Sequence, residues 1–269
     1  MSETPGGVEA LFLLDGHATF VPTVGAVGPW NPDVLHGAAV AALFAGQLTP
    51  ADRTLGRLTV ELLAPVPFAP LRLEVSAVEG GRRIQRRQAV LTVDGTRVAS
   101  AMSVTVLRTE LDIPTDALDH DDPFRDVPTP DLSTVPPELA AVIGWENFHS
   151  TAVATKRLRL ASDPAHSHQW VALTLPVVAG DEIRGTEIAA AAADFASEAM
   201  HRRLPFTEWS FMNTDLTLHL ARPPVGTWIG MNTSAVIERV GTGIASTQLF
   251  DAAGRVGQSV STLVVERRR

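Results

Sequence analysis

The 269-residue sequence predicts an α+β fold made of two tandem modules, each an antiparallel sheet wrapped around a central helix. Three observations predict it. The segment "LTVELLAPVP", beginning at Leu58, returns as "LTLHLARPPV" at Leu216, so that Leu-Thr-x-x-Leu-x-x-Pro occurs twice at an offset of 158 residues. Each copy runs on into alternating apolar and polar residues, rich in β-branched side chains and broken by Gly-containing turns, which is the pattern of consecutive antiparallel strands. Each copy is also preceded by one apolar helical segment.

Taken in chain order, Asp15-Gly16 predicts a first hairpin. The segment "HGAAVAALFAGQL", 36–48, predicts a helix, with Pro32 and Asp33 ahead of it and Gly46 near its end. It has almost no polar face and should be buried on all sides. "LRLEVSAVEGGRRIQRRQAVLTVDGTRVASAMSVTVLR" follows as strands, and Asp94-Gly95 is a strong tight-hairpin signal. Pro65 and Pro67, like Pro223 and Pro224 in the second copy, mark strand ends, because proline cannot donate to an interior ladder.

Residues 1–108 form the first module on this reading. The stretch 109–146 is rich in Pro and Asp and reads as a surface linker, and 147–269 form the second module. "HSHQWVALTL" (166–175) predicts a strand, and 187–202 a helix containing "EIAAAAADFASEAM". "WIGMNTSAVIERVGTGIASTQLFDAAGRVGQSVSTLVVER" repeats the strand grammar, with Asp251–Gly254 as its hairpin. Trp30 and Phe44 are expected in the core. Arg82, Arg83, Arg86 and Arg87 are expected on a solvated strand edge, and the C-terminal Arg267–Arg269 in solvent.

Composition excludes several function classes. A net charge of −8 argues against a nucleic-acid or anionic-membrane partner. No cysteine is present, which removes disulfides, thiolate metal sites and a cysteine nucleophile. No run is apolar enough for a spanning helix, so no membrane insertion is expected. "MSETPGGVEA" has neither a basic nor an apolar signal region, which predicts a cytoplasmic protein. His149, His166, His168 and His219 are scattered without metal-ligand spacing, and no nucleotide-binding fingerprint occurs, so neither metal nor cofactor is expected.

The one unusual residue is Asp194. Five alanines precede it, and aspartate is a poor helix-interior residue because its side chain competes for backbone hydrogen bonds. At 100° per residue Glu187, Asp194, Ser197, Glu198 and His201 share one arc, with Ile188, Ala192, Phe195 and Ala199 opposite. Such a stripe is either a solvated face or the lining of a cleft.

A helix led by His-Gly, followed by "RLTVELLAPVP", "GRRIQ" and "DGTRVASA", resembles the double hot-dog acyl-CoA thioesterases, the type II-like family. The resemblance covers most of the chain outside the linker. It implies two hot-dog modules with their sheets joined side by side. It also implies hydrolysis of an acyl-CoA or acyl-carrier thioester to free acid and thiol, and a homo-oligomer, as hot-dog sheets often pair further.

Family members use a helix carboxylate, with a Thr and a Gln on neighbouring strands, to hold the attacking water. Carried over, the acid falls on Asp194, the Thr position on Asn213 with Thr214 beside it, and the Gln position near Thr262. His36, Gly37, Glu198 and Thr214 are the expected substrate-side residues. Gly37 would offer a backbone N–H to an oxyanion and, lacking a side chain, let a carbonyl oxygen approach. His36 either caps its helix or positions the acyl carbonyl, and Glu198 could be a like-charge neighbour of Asp194. Two alternatives stand beside hydrolysis: a dehydratase or hydratase pairing His36 with Asp194, and a non-catalytic acyl-thioester binding protein.

Overall fold

The structure, a computed structural model, describes residues 8–118, 122, 124–134, 144–158 and 166–268. The N-terminal 1–7 read above for a signal region, parts of the expected linker (119–121, 123 and 135–143) and Arg269 lie outside the described residues.

The first half contains strands β1 (Phe12–Asp15) and β2 (Thr19–Pro22), helix α1 (Gly37–Leu48), and strands β3 (Arg53–Leu62), β4 (Leu71–Gly80), β5 (Ile84–Val93) and β6 (Thr96–Leu107). The second half opens with a short helix, α2 (Phe148–Thr151), then β7 (Val153–Leu158), β8 (His166–Leu173) and helix α3 (Gly185–Asp194). A 3-10 segment (Phe195–Arg202) continues α3, followed by β9 (Trp209–Asn213), β10 (Asp215–Leu220), β11 (Ile229–Ile237), β12 (Thr242–Asp251) and β13 (Gly254–Arg267).

All strands join one antiparallel sheet in the order β1-β2-β4-β5-β6-β3-β10-β13-β12-β11-β8-β7, with β9 paired to the far end of β13. The two halves of this order mirror each other, strand for strand, about the β3–β10 joint. There Thr59 pairs with Thr217, its own counterpart 158 residues on, and their hydroxyl oxygens lie 3.4 Å apart. The sequence repeat therefore marks a local two-fold axis, and Thr59 and Thr217 sit on it.

The turns follow from local chemistry. Asp94 and Gly95 take φ of 48° and 80°, the two left-handed residues a tight hairpin between β5 and β6 requires. Inside the curled sheet α1 and α3 lie against each other. Ala38–Ala42 and Ala189–Ala193 are all fully buried, and their small side chains let the two backbones approach closely.

Two expectations are corrected. The helix expected over 187–202 is α-helical only to Asp194. Asn213 Nδ2 donates to the Asp194 carbonyl at 2.7 Å, competing for the acceptor that the next helical turn needs, and the chain tightens into the 3-10 form. Trp30 is 58% exposed rather than in the core, with its ring 4.6 Å from Phe206. Arg267 and Arg268 are exposed as expected, and Arg268 Nε donates to the carbonyls of Phe206 and Trp209. Within 109–146 Phe124 is buried, packed on Trp170 and Phe250 of the second half.

Candidate active site

Asp194 is buried, only 6% exposed, at the point where the end of α3 meets the start of α1. An ideal Cβ on Gly37 would lie 2.8 Å from Asp194 Oδ1 and 2.9 Å from Oδ2. The space left by the missing side chain is thus filled by the Asp194 carboxylate, not left for a substrate carbonyl as the sequence suggested. The carboxylate stands at the positive end of the α1 dipole, which favours its charge.

Two side chains hold it. Asn213 Nδ2 donates to Asp194 Oδ1 at 2.7 Å. Asn213 Oδ1 is buried and accepts nothing from the protein, leaving an acceptor beside the carboxylate. On the other side His36 Nδ1 lies 3.2 Å from Asp194 Oδ2. The same Nδ1 is 3.0 Å from the Ala38 N–H, so His36 does cap α1.

His36 Nε2 lies 3.1 Å from His149 Nε2. The rings meet across 113 residues because one short segment anchors both: His36 N–H donates to the Ala26 carbonyl and Phe148 N–H to the Val27 carbonyl. Asn147 caps α2 by accepting from the His149 N–H, and the His36 ring packs against Phe148 and Phe195 at centroid distances of 4.8 and 5.5 Å, the two phenyl rings also touching each other. Burial, with the nearby His36 and Arg157 adding to it, pushes the His149 pKa down to about 3, so the ring is neutral. The sequence offered no signal for His149.

At the opposite end of the helix pair Gly46 of α1 faces α3. An ideal Cβ there would lie 2.5 Å from Glu187 Oε1 and 2.6 Å from Arg184 Nη2. Glu187 is 1% exposed; burial raises its pKa, while the Arg184 backbone N–H and guanidinium oppose that shift. This end of the helix pair is closed by a saturated ion pair, and the Asp194 end is not. Neither of two clefts, of about 460 Å³ beside Phe124 and Trp170 and about 410 Å³ beside Leu173 and Ile188, is lined by Asp194, His36 or Asn213.

Family models match most of the chain. Residues 26–108 match the acyl-CoA thioesterase N-terminal domain and 114–265 the acyl-CoA thioesterase C-terminal domain. The chain belongs to the acyl-CoA thioesterase family. It is a thioester hydrolase with the double hot-dog fold. A search of the curated proteins found no match to the sequence.

Among solved structures the thioesterase resembles a provisional thioesterase II of Thermobifida fusca, at 15% identity and a TM-score of 0.71, covering 97% of this chain and 100% of that one. A conserved hot-dog protein of unknown function from Alicyclobacillus acidocaldarius aligns at 19% identity and a TM-score of 0.66, over 96% of both chains. An acyl-CoA thioesterase II of Mycobacterium marinum aligns at 12% identity and a TM-score of 0.62, over 93% of this chain and 94% of that one.

The remaining expected residues of the thioesterase do not all converge. Thr214 Oγ1 is turned to Asp215 Oδ1 and the Thr262 carbonyl, 3.2 and 3.3 Å away. Thr262 contributes backbone only: its N–H donates to Asp215 Oδ1, and its exposed side chain lies on the outer face of β13. Strand alternation instead turns Ser261 inward, fully buried and with its Oγ unpartnered. Ser261 is the two-fold counterpart of Ser103, whose Oγ donates to the Leu48 carbonyl at the end of α1. The 158-residue offset already pointed to this serine. Glu198 is mostly buried and pairs with Arg157 at 3.4 Å.

Proposed function

We propose that Asp194 is the general base of this thioesterase, acting on a water that donates to the orphaned Asn213 Oδ1. The observation that carries the reading is the combination of a buried carboxylate and, next to it, a buried acceptor without a protein donor. A water bridging the two would give one proton to Asp194 and direct its oxygen at a thioester carbonyl arriving over the half-buried Gly37. The Gly37 N–H, at the start of α1, donates to no acceptor among the described residues and is the oxyanion donor in this reading. Little more is needed, because a thioester carbonyl is electrophilic and a thiolate leaves readily.

The dehydratase alternative paired His36 with Asp194, and the two do touch. It requires a ring nitrogen free for the substrate, whereas Nδ1 faces Asp194 and Ala38 and Nε2 faces His149. Hydrolysis is therefore the reading the geometry favours. The substrate is an acyl-CoA, fatty or related, or the same acyl group on a carrier thiol. The assembly is a cytoplasmic homodimer, which light scattering would test.

Purified protein should release thiol from acyl-CoAs of short, medium, long or aryl chain. Asp194→Ala should lower kcat by at least about 100-fold, the lower range for a positioned base, with its melting transition retained. An equally active, folded Asp194→Ala would reject the assignment.

A further inference from the structure

An acyl group reaches a thioesterase on CoA or on a carrier thiol, and the two differ beyond the pantetheine arm. CoA ends in a diphosphate, a ribose phosphate and an adenine base; a carrier-bound thioester has no base there. Two loops meet on the side from which Gly37 and Asp194 are reached. Loop 28–35 runs into His36 and the head of α1, and the other follows the 3-10 segment that continues α3 from Asp194. Trp30 of the first loop lies on Phe206 of the second, ring centroids 4.6 Å apart. Arg268 Cζ stands 4.2 Å from the Phe206 ring centre and 5.5 Å from that of Trp30. We infer that Trp30, Phe206 and Arg268 form a subsite for the nucleotide end of CoA, so that the substrate is an acyl-CoA rather than a carrier-bound thioester; this rests on the acyl carbonyl lying over Gly37 beside Asp194.

The backbone holds the three side chains in place. The Gly28 N–H donates to the Val34 carbonyl at 2.7 Å and the His36 N–H to the Ala26 carbonyl, which closes loop 28–35 at its base. Trp145 Nε1, from the second half, donates to the Gly28 carbonyl. Arg268 is fixed twice: its Nε donates to the carbonyls of Phe206 and Trp209, and its backbone N–H to that of Glu208. The His201 ring packs edge-on against Phe206, centroids 5.1 Å apart. Burial, with Arg157 and Arg268 adding to it, pushes the His201 pKa down to about 4, so that ring is neutral.

Two properties of this platform match a nucleotide. Phe206, like Trp30, stays exposed after the two rings have packed on each other, so aromatic surface remains for a flat base, which stacks on such faces whatever its identity. Arg268 commits only Nε and its backbone to the fold. Its two Nη nitrogens meet no acceptor among the described residues, and the neighbouring Glu208 is paired with Arg267 at 3.4 Å. A guanidinium anchored in this way keeps two N–H groups for the oxygens of a phosphate. An apolar ligand would use the rings and not the cation, and inorganic phosphate the cation and not the rings.

The platform is also within reach of the chemistry. Counting Cα steps across the Gly28–Val34 bond, Trp30 stands no more than about 20 Å from His36. An extended pantetheine arm with its diphosphate covers that span.

The test measures thiol release by the full chain from one acyl group on two thiols, CoA and N-acetylcysteamine, the latter lacking diphosphate, ribose and base. Wild type should have the higher kcat/KM on the CoA ester. Trp30→Ala and Arg268→Gln, both at exposed side chains, should each lower the ratio of the two kcat/KM values about 5-fold or more, chiefly through KM for the CoA ester. Trp30→Phe, which keeps a ring, should recover most of the ratio. Adenosine 3′,5′-bisphosphate should compete with the CoA ester and bind less tightly to Trp30→Ala. A wild type that treats the two esters alike, an absence of competition, or a ratio unchanged in either variant overturns the subsite. That last outcome includes an equal loss on both esters, which marks the loop contact as merely structural. Asp194→Ala should instead lose both esters together, so failure of the base and failure of the nucleotide subsite give different patterns.

Discussion

Gly37 shows how tightly single atoms are placed around Asp194. Its conformation is ordinary for a helix, so alanine would be favoured there by about 1 kcal/mol of propensity alone. The obstacle is the carboxylate, 2.8 Å from where the new Cβ would stand. Gly37→Ala should therefore lower kcat at least about 10-fold, as expected when a positioned base is displaced, with much less effect on the melting temperature; steady-state kinetics beside a thermal melt will check this. The buried histidines make a second prediction. His149 and His201 titrate near 6.5 when unfolded but are pushed by burial to about 3 and about 4 in the fold. Between those values the unfolded chain binds more protons, so stability is complete above pH 6.5 and is lost as pH falls toward 4 and then 3. Urea titrations from pH 7 to pH 4 should show a falling midpoint, with a shallower fall in His149→Gln. His149 itself was not legible in the sequence. Its partner lies 113 residues away, and only the shared anchoring on Ala26 and Val27 brings the rings together.

At the scale of elements, the alanine run before Asp194 has a packing cause. Residues 189–193 are fully buried on every side, which only a very small side chain tolerates where two helices and a curled sheet meet. Ala191→Leu should cost about 1–3 kcal/mol by overpacking, read from chemical denaturation. The end of α3 was misread as continuous helix because periodicity sees the apolar stripe. It does not see that Asn213, on a strand nineteen residues on, takes the Asp194 carbonyl. The direction of Thr262 was likewise beyond the sequence: strand alternation separates inward from outward at every step, and only the register of β13 on β9, β10 and β12 shows that Thr262 faces outward and Ser261 inward.

On the scale of the whole molecule, the sheet is continuous because β3 and β10 complete each other at the centre. The chain contains no cysteine, so Thr59→Cys with Thr217→Cys would introduce the sole pair of thiols. Their present hydroxyls are 3.4 Å apart, and oxidation should close a bridge between the halves. A thiol assay and faster migration on a denaturing gel would detect it; two persistently free thiols would contradict the joint. The two ends of the helix pair differ in what fills them, and only the Asp194 end is a candidate site. The Glu187–Arg184 pair fills the other end, against Gly46.

What the amino-acid order determined alone was whatever depends on neighbours along the chain or on its own repetition. The doubled module, the hairpins at Asp15-Gly16 and Asp94-Gly95, the wholly apolar α1 and the oddness of Asp194 all belong there. Tertiary structure decided which polar groups meet. Asn213 and His36 reach the same carboxylate, and His149 reaches His36, from three distant segments, and a side chain's direction across a sheet or helix end is set by register and packing, which no local pattern encodes.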